Sequence, residues 1–139
     1  MEIIVDSSIL IHFFNKQKPK EKLILRKMEI LSVFLKKDAL IYTIGPVITE
    51  ILQGVKFSNK KQYSNIAAHL DSFIFLPLEL KNYYSAAEIY RFLRSKGITI
   101  ESTIDVILAS ASMDYSIPLL HCDSDFEIIK KHFYLQTIK

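Results

Sequence analysis

The 139-residue sequence has one cysteine, Cys122, no tryptophan, three glycines and four prolines. A lone cysteine excludes an intramolecular disulfide framework and a zinc site built from several cysteines, and it suits a reducing compartment. No apolar run approaches the ~18 residues of a membrane span, and the first residues lack the basic start and apolar stretch of a secretion signal. These absences predict a cytoplasmic protein that does not enter a membrane.

The composition is that of an ordinary globular protein, with 50% hydrophobic and 24% charged residues. We find no repeat and no linker, so we expect a single domain over residues 1–139 that buries about two-thirds of its unfolded surface. The 18 basic and 15 acidic residues give a net charge of +3. This charge is compatible with binding nucleic acid but does not by itself indicate it.

Short apolar runs alternate with longer segments of helical period. The runs predict strands at residues 3–5, 39–42, 73–78, 117–120 and 133–135. The longer segments predict helices at residues 7–15, 21–36, 46–55, 63–71, 80–96, 103–115 and 125–131. This alternation predicts an α/β fold, a three-layer α/β/α sandwich around a mostly parallel sheet.

Acidic residues directly follow two of the predicted strands. Asp6 ends the first strand, and Asp123 and Asp125 come shortly after the strand at 117–120. Parallel sheets bind ligands just beyond the carboxyl ends of their strands. We therefore expect these carboxylates to lie at the edge of the sheet where chemistry takes place.

Two further acids lie beside apolar stripes on predicted helices. Asp105 shares a helix face with Leu108, Ala109 and Ser112, whereas Asp114 projects to the opposite side and is expected to be a surface charge. Glu50 is flanked by apolar residues, a costly position unless a cation compensates it, and a solvated surface position is equally compatible with this segment.

Asp6, Glu50, Asp105 and either Asp123 or Asp125 are thus four separated carboxylates that the fold can bring together. Like charges within a few ångströms repel each other unless a hard divalent cation neutralises them, and Mg²⁺ or Mn²⁺ prefers ligation by oxygen alone. Such a cation activates water and stabilises charge on phosphate. The pattern predicts metal-dependent hydrolysis of a phosphodiester.

Four segments resemble the motifs of PIN domains, in the order in which that family carries them. They are IVDSSILI at 4–11, TEILQG at 49–54, IDVILASA at 104–111 and LLHCDSDF at 119–126. In particular they are similar to the VapC-type toxin ribonucleases of toxin–antitoxin pairs. The resemblance implies a PIN-like fold and a Mg²⁺- or Mn²⁺-dependent endoribonuclease that acts on RNA, forms a homodimer and is held inactive by a cognate antitoxin protein.

The resemblance also assigns roles to individual residues. Asp6, Glu50 and Asp105 match the catalytic, metal-binding acids of the family, and Asp123 is the preferred fourth, with Asp125 as a further metal ligand. Ser8 matches a small polar residue that supports the first aspartate. The chain departs from the usual pattern at Ser7, where threonine is common, and at residues 121–122, where His-Cys replaces a hydroxyl and a basic residue.

Other readings of the same residues remain open. A non-catalytic PIN-like domain would bind RNA or a protein through its basic residues, and a phosphotransferase would form an acyl-phosphate on Asp6. The phosphatase form of that class usually has an acid two positions later, where this chain has Ser8. Basic residues on the loop and helix after the first motif can steer RNA; they are Lys16, Lys18, Lys20, Lys22, Arg26 and Lys27.

Overall fold

The computed structural model describes residues 1–15 and 20–139, so Lys16 and Lys18 of the basic stretch lie outside the described residues. The strands are β1 (Glu2–Val5), β2 (Leu40–Thr43), β3 (Ile74–Phe75) and β4 (Leu119–Leu120). The helices are α1 (Ser7–Asn15), α2 (Lys22–Lys36), α3 (Gly45–Gln53), α4 (Lys60–Asp71), α5 (Leu80–Ser95), α6 (Thr103–Tyr115) and α7 (Ser124–His132).

The four strands form one parallel sheet in the order β3-β2-β1-β4. Ile3, Ile4 and Val5 of the inner strand β1 are all fully buried. Because successive side chains of a strand point to opposite faces, this burial shows that both faces of the sheet are covered. The predicted α/β/α sandwich with a parallel sheet is confirmed.

The helices pack in two groups. Helix α1 contacts α2 and α3, and α3 contacts α4, whereas α6 contacts α5 and α7. A shared apolar core connects the sheet to both groups, with Leu10 of α1, Leu31 of α2 and Leu108 of α6 fully buried. No helix in the described parts of the chain is long and apolar enough to cross a membrane.

Three predicted strands differ from those observed. The strand expected at 73–78 is only Ile74–Phe75, because Pro77 has no N–H with which to continue the ladder. The strand expected at 117–120 is only Leu119–Leu120. The prediction of a strand at 133–135 is wrong, since this stretch forms no ladder and an isolated parallel bridge instead joins Thr137 to Leu119.

Candidate metal centre

The order of the strands creates a crevice at one edge of the sheet. The chain adds β2 and β3 on one side of β1 and then crosses to place β4 on its other side. In a parallel sheet, a ligand crevice opens at such a reversal, outside the carboxyl ends of the two strands. Asp6 follows β1 at this point, where its backbone N–H donates to the carbonyl of Leu120 at the end of β4 (3.0 Å).

Asp6 is nearly buried and is held in place by a serine. Its side chain is only 4% exposed, and the Ser8 hydroxyl donates to Asp6 Oδ2 over 2.7 Å. Burial raises the pKa of Asp6 above its ordinary value, the hydrogen bond from Ser8 acts in the opposite direction, and the negative charge of Glu50 raises it further. Ser8 therefore contacts the first aspartate as the sequence predicts, and it favours the charged form of that group.

Glu50 is half-buried on α3 and is bound by the neighbouring serine of α1. The Ser7 hydroxyl donates to Glu50 Oε1. The sequence suggested that a cation would compensate this acid if it were not solvated, but the partner in the structure is a neutral hydroxyl. Two consecutive residues at the start of α1, Ser7 and Ser8, thus orient one carboxylate each.

Three carboxylates converge at the N-terminal ends of α6 and α7. Asp105, Asp123 and Asp125 each present an oxygen, and these three oxygens lie within 4.8 Å of one another. Asp123 is the N-cap of α7, where its side chain accepts from the backbone N–H of Asp125 over 2.9 Å. Among the described residues, Asp6 and Glu50 do not belong to this group of mutually close carboxylates.

The charges of the other four acids nevertheless act on Asp105. Its pKa is raised from 3.8 to about 7, first by burial and then by the negative charges of Asp6, Asp123, Glu50 and Asp125. Burial and the charge of Asp123 also raise the pKa of Asp125. Among the residues that the structure describes, no lysine or arginine forms an ion pair with these five acids, so the site concentrates negative charge.

This donor set fits a hard divalent cation. It offers several carboxylate oxygens at close range, the ligands that Mg²⁺ and Mn²⁺ prefer. Burial is the main cause of the raised pKa of Asp105, and the four neighbouring negative charges, whose repulsion a cation would relieve, raise it further. Asp123 and Asp125 are both in the group, so the structure does not select one of them as the fourth acid.

Sequence reasoning missed an arrangement beside these acids. His121 Nδ1 accepts from the backbone N–H of Asp123 (3.2 Å), and His121 Nε2 lies 3.1 Å from Glu127 Oε1. His121 and Cys122 follow β4, and both line one cavity. Lys27 was considered only as one charge of a basic run, yet it is buried in the wall of that cavity.

The buried positions of α2 gave a signal for Lys27. This residue lies three positions after Ile24 and four before Leu31, which are the other buried residues of the helix. This spacing places a lysine on the apolar face, where an uncompensated charge is costly and is often functional.

Comparisons with known proteins agree over nearly the whole chain. The family model described as "PIN domain" matches residues 3–132. The chain is 24% identical over 136 residues to "Ribonuclease VapC11" of Mycobacterium tuberculosis, which covers 97% of this chain and 96% of that protein.

Solved structures have the same fold. The VapBC2 complex from Rickettsia felis, bound to a promoter DNA fragment, has a TM-score of 0.73 at 19% identity and covers 99% of this chain and 98% of that one. VapBC-1 from nontypeable Haemophilus influenzae has a TM-score of 0.72 at 14% identity, with 100% and 98% covered.

Proposed function

The chain belongs to the PIN domain family, and from that premise we propose that it is a metal-dependent endoribonuclease that hydrolyses RNA and serves as the toxin of a type II toxin–antitoxin pair. The observation that supports this most strongly is the convergence of Asp105, Asp123 and Asp125, with Asp6 and Glu50 acting on the same charge. The relative of similar length that is called a ribonuclease supports the reaction class.

We assign the metal ligands among these acids. Asp105, Asp123 and Asp125 would hold Mg²⁺ or Mn²⁺ directly, and Asp6 and Glu50 would complete the ligand set or hold its water molecules. When bound, such a cation lowers the pKa of a coordinated water and offsets the negative charge that develops on the phosphate. The catalytic residues in this proposal are Asp6, Glu50, Asp105 and Asp123.

The contribution of the chain itself is to orient these acids in advance. Ser8 fixes the carboxylate of Asp6, and Ser7 fixes that of Glu50. Groups that are already aligned need little reorganisation during the reaction, which is the main source of electrostatic stabilisation in enzyme sites. Near neutral pH, Asp105 can hold a proton that it loses when the charge around it is neutralised.

The same proposal covers the partners and the compartment. The two structural neighbours described above are VapBC assemblies, which supports a cognate antitoxin as the protein partner. RNA is the proposed substrate, a homodimer the proposed assembly and the cytoplasm the proposed compartment. The described residues form a shared core, which supports the expectation that residues 1–139 are one domain.

A cleavage assay tests the function. Purified protein is incubated with total RNA over a titration of Mg²⁺ or Mn²⁺, and the cut ends are mapped. We expect cleavage by the wild type and by Asp114→Asn, which changes an exposed acid of the same helix, and no cleavage by Asp6→Asn or Asp105→Asn. Equal cleavage by all four proteins would remove the mechanism. RNA binding without any turnover would instead support the non-catalytic alternative.

A further inference from the structure

A cavity of about 610 Å³ opens beside the acidic residues. Ser8 and Asp123 form the wall that it shares with the candidate metal centre. The rest of the wall is formed by residues with no part in the proposed chemistry, among them Lys27, His121 and Glu127. A molecule bound at the acids can therefore extend into this cavity.

Lys27 is the unusual residue of this wall. The residue is only 6% exposed, and its ammonium group donates to the backbone carbonyl of Ile138. Among the residues that the structure describes, no carboxylate forms an ion pair with it. An ammonium group has three N–H donors, so two of them are left for a ligand. Burial lowers the pKa of Lys27, which reflects the cost of a charge that lacks a counterion here.

The neighbouring histidine does not add a second positive charge. Because His121 Nδ1 accepts from the Asp123 N–H, the ring proton lies on Nε2 and is donated to Glu127. His121 is therefore neutral in this arrangement. Among the described residues that line the cavity, Lys27 alone is cationic.

We propose that this cavity binds a backbone phosphate of the RNA, next to the phosphate that is cleaved, and that Lys27 is its ligand. This inference rests on the proposed function and names how the same site holds its substrate. A phosphate supplies the anion that Lys27 lacks, and a charge-assisted hydrogen bond is strong where water is largely excluded. The attraction between Lys27 and this phosphate also offsets the repulsion between the RNA backbone and the five carboxylates.

The lining favours a phosphate over a base. Bases of single-stranded RNA usually stack on exposed aromatic side chains. The aromatic ring in the described lining, that of His121, is buried and packs against Phe126 with ring centroids 4.9 Å apart. Glu127 also lines the cavity, its side chain is 55% exposed, and its charge opposes an anion. The proposal therefore predicts opposite effects for Lys27 and Glu127.

RNA binding, measured apart from cleavage, tests this inference. Fluorescence anisotropy follows a labelled single-stranded RNA oligonucleotide of mixed sequence, in Mg²⁺ and over a series of KCl concentrations, in an Asp105→Asn background that stops turnover. We expect Lys27→Met to weaken binding about tenfold. The logarithm of the association constant falls linearly with the logarithm of the KCl concentration. We expect Lys27→Met to make this slope shallower by about 0.7, the value for one phosphate contact on a single strand.

Matched variants separate a specific contact from net charge. Lys36→Met removes an exposed lysine from the far end of the same helix, and it should leave both the affinity and the slope nearly unchanged. Glu127→Gln keeps an acceptor for His121 while it removes the charge, and it should tighten binding. Thermal melting checks that Lys27→Met folds. If it does not fold, the RNA affinity of Glu127→Gln decides the test, and an affinity equal to that of the Asp105→Asn parent overturns the proposal.

Failure of this inference and failure of the proposed function are distinguishable. Cleavage by the wild type that depends on Asp6, combined with an unchanged salt slope in Lys27→Met, leaves the nuclease standing and overturns the phosphate site. An equal effect of Lys36→Met overturns it as well. A Lys27-dependent slope without any cleavage supports the phosphate site and contradicts the nuclease.

Discussion

Asp105 carries the clearest electrostatic signature of any single residue. Its carboxyl group has a pKa of about 7 in the folded protein, against 3.8 ordinarily. Between these values the folded state binds a proton that the unfolded state has released, so folding stability falls as the pH rises through this window and levels off above about 7. The stability contributed by this group is fully present only below the lower value.

Replacing Asp105 by asparagine should remove this part of the pH dependence. In EDTA, we expect the wild type to lose up to about 1.4 kcal/mol of unfolding free energy per pH unit through the window, and Asp105→Asn to lose much less. Asp105→Asn should also melt at a higher temperature than the wild type at pH ~8, because a buried repulsive charge is gone. Melting temperatures at several pH values measure both effects.

Asp114→Asn is the matched control for this experiment. Asp114 is exposed on the same helix and forms an ion pair with Lys81 at the surface, so its loss should cost little. The control should keep the pH dependence of the wild type. A wild-type pH dependence in Asp105→Asn would contradict the account of its charge.

Ser8 is expected to act on metal affinity through Asp6. Its hydroxyl favours the charged form of the aspartate and fixes its orientation, so Ser8→Ala should raise the concentration of Mg²⁺ needed for half-maximal cleavage by about 10- to 100-fold. Ser8→Thr keeps the hydroxyl and should restore most of the affinity. The account of Ser8 fails if Ser8→Ala requires no more Mg²⁺ than the wild type.

At the level of single residues, the sequence predicted where the acids lie in the fold better than it predicted which side chains contact them. Asp6 and Asp105 were placed correctly because strand ends and helix faces follow from local periodicity. The partner of Glu50 was not predicted, since the contact with Ser7 spans 43 positions of the chain and depends on how α3 packs against α1. The burial of Lys27 was missed although its spacing from Ile24 and Leu31 is a local signal, because the residue was considered only as one charge of a basic run.

Among the helices, α7 has an N-cap residue that serves both folding and the proposed chemistry. Asp123 caps the helix and is also a proposed metal ligand. Asp123→Asn keeps an oxygen that can accept from the Asp125 N–H, whereas Asp123→Ala loses it. We expect both variants to lose cleavage by at least roughly a hundredfold, and only the alanine variant to lose about 1 kcal/mol of stability through the cap.

Urea unfolding and RNA cleavage measured on the same preparations separate the two roles of Asp123. If Asp123→Asn cleaves RNA as well as the wild type does, Asp123 serves only as a helix cap and is not a metal ligand. Equal stability of the two variants would instead show that the cap contributes nothing measurable.

The bounds of the elements were predictable where the pattern is long and local. Helices α1 and α6 have the predicted bounds, because each follows a polar residue and keeps its apolar spacing to the end. The short strands were predicted less well. The ladder of β3 depends on pairing with β2 and ends near Pro77, and the bridge at Thr137 depends on where the chain returns to Leu119, which no local pattern specifies.

For the molecule as a whole, topology explains why acids from distant segments meet. The reversal of strand order beside β1 opens a crevice, and Asp6 and Asp123 follow the two strands that border it. Helices α3 and α6 add Glu50 and Asp105 to the same charged region. Alternation of strands and helices predicted this edge of the sheet, but the exact group of three carboxylates required the three-dimensional arrangement.

A crystal structure of the protein with Mn²⁺, in which the anomalous signal locates the metal, tests whether these carboxylates hold a divalent cation. We expect an anomalous peak bounded by carboxylate oxygens of Asp105, Asp123 and Asp125, and we expect this peak to be lost in a crystal of Asp105→Asn. Saturating Mn²⁺ with no peak among these three carboxylates would contradict the account.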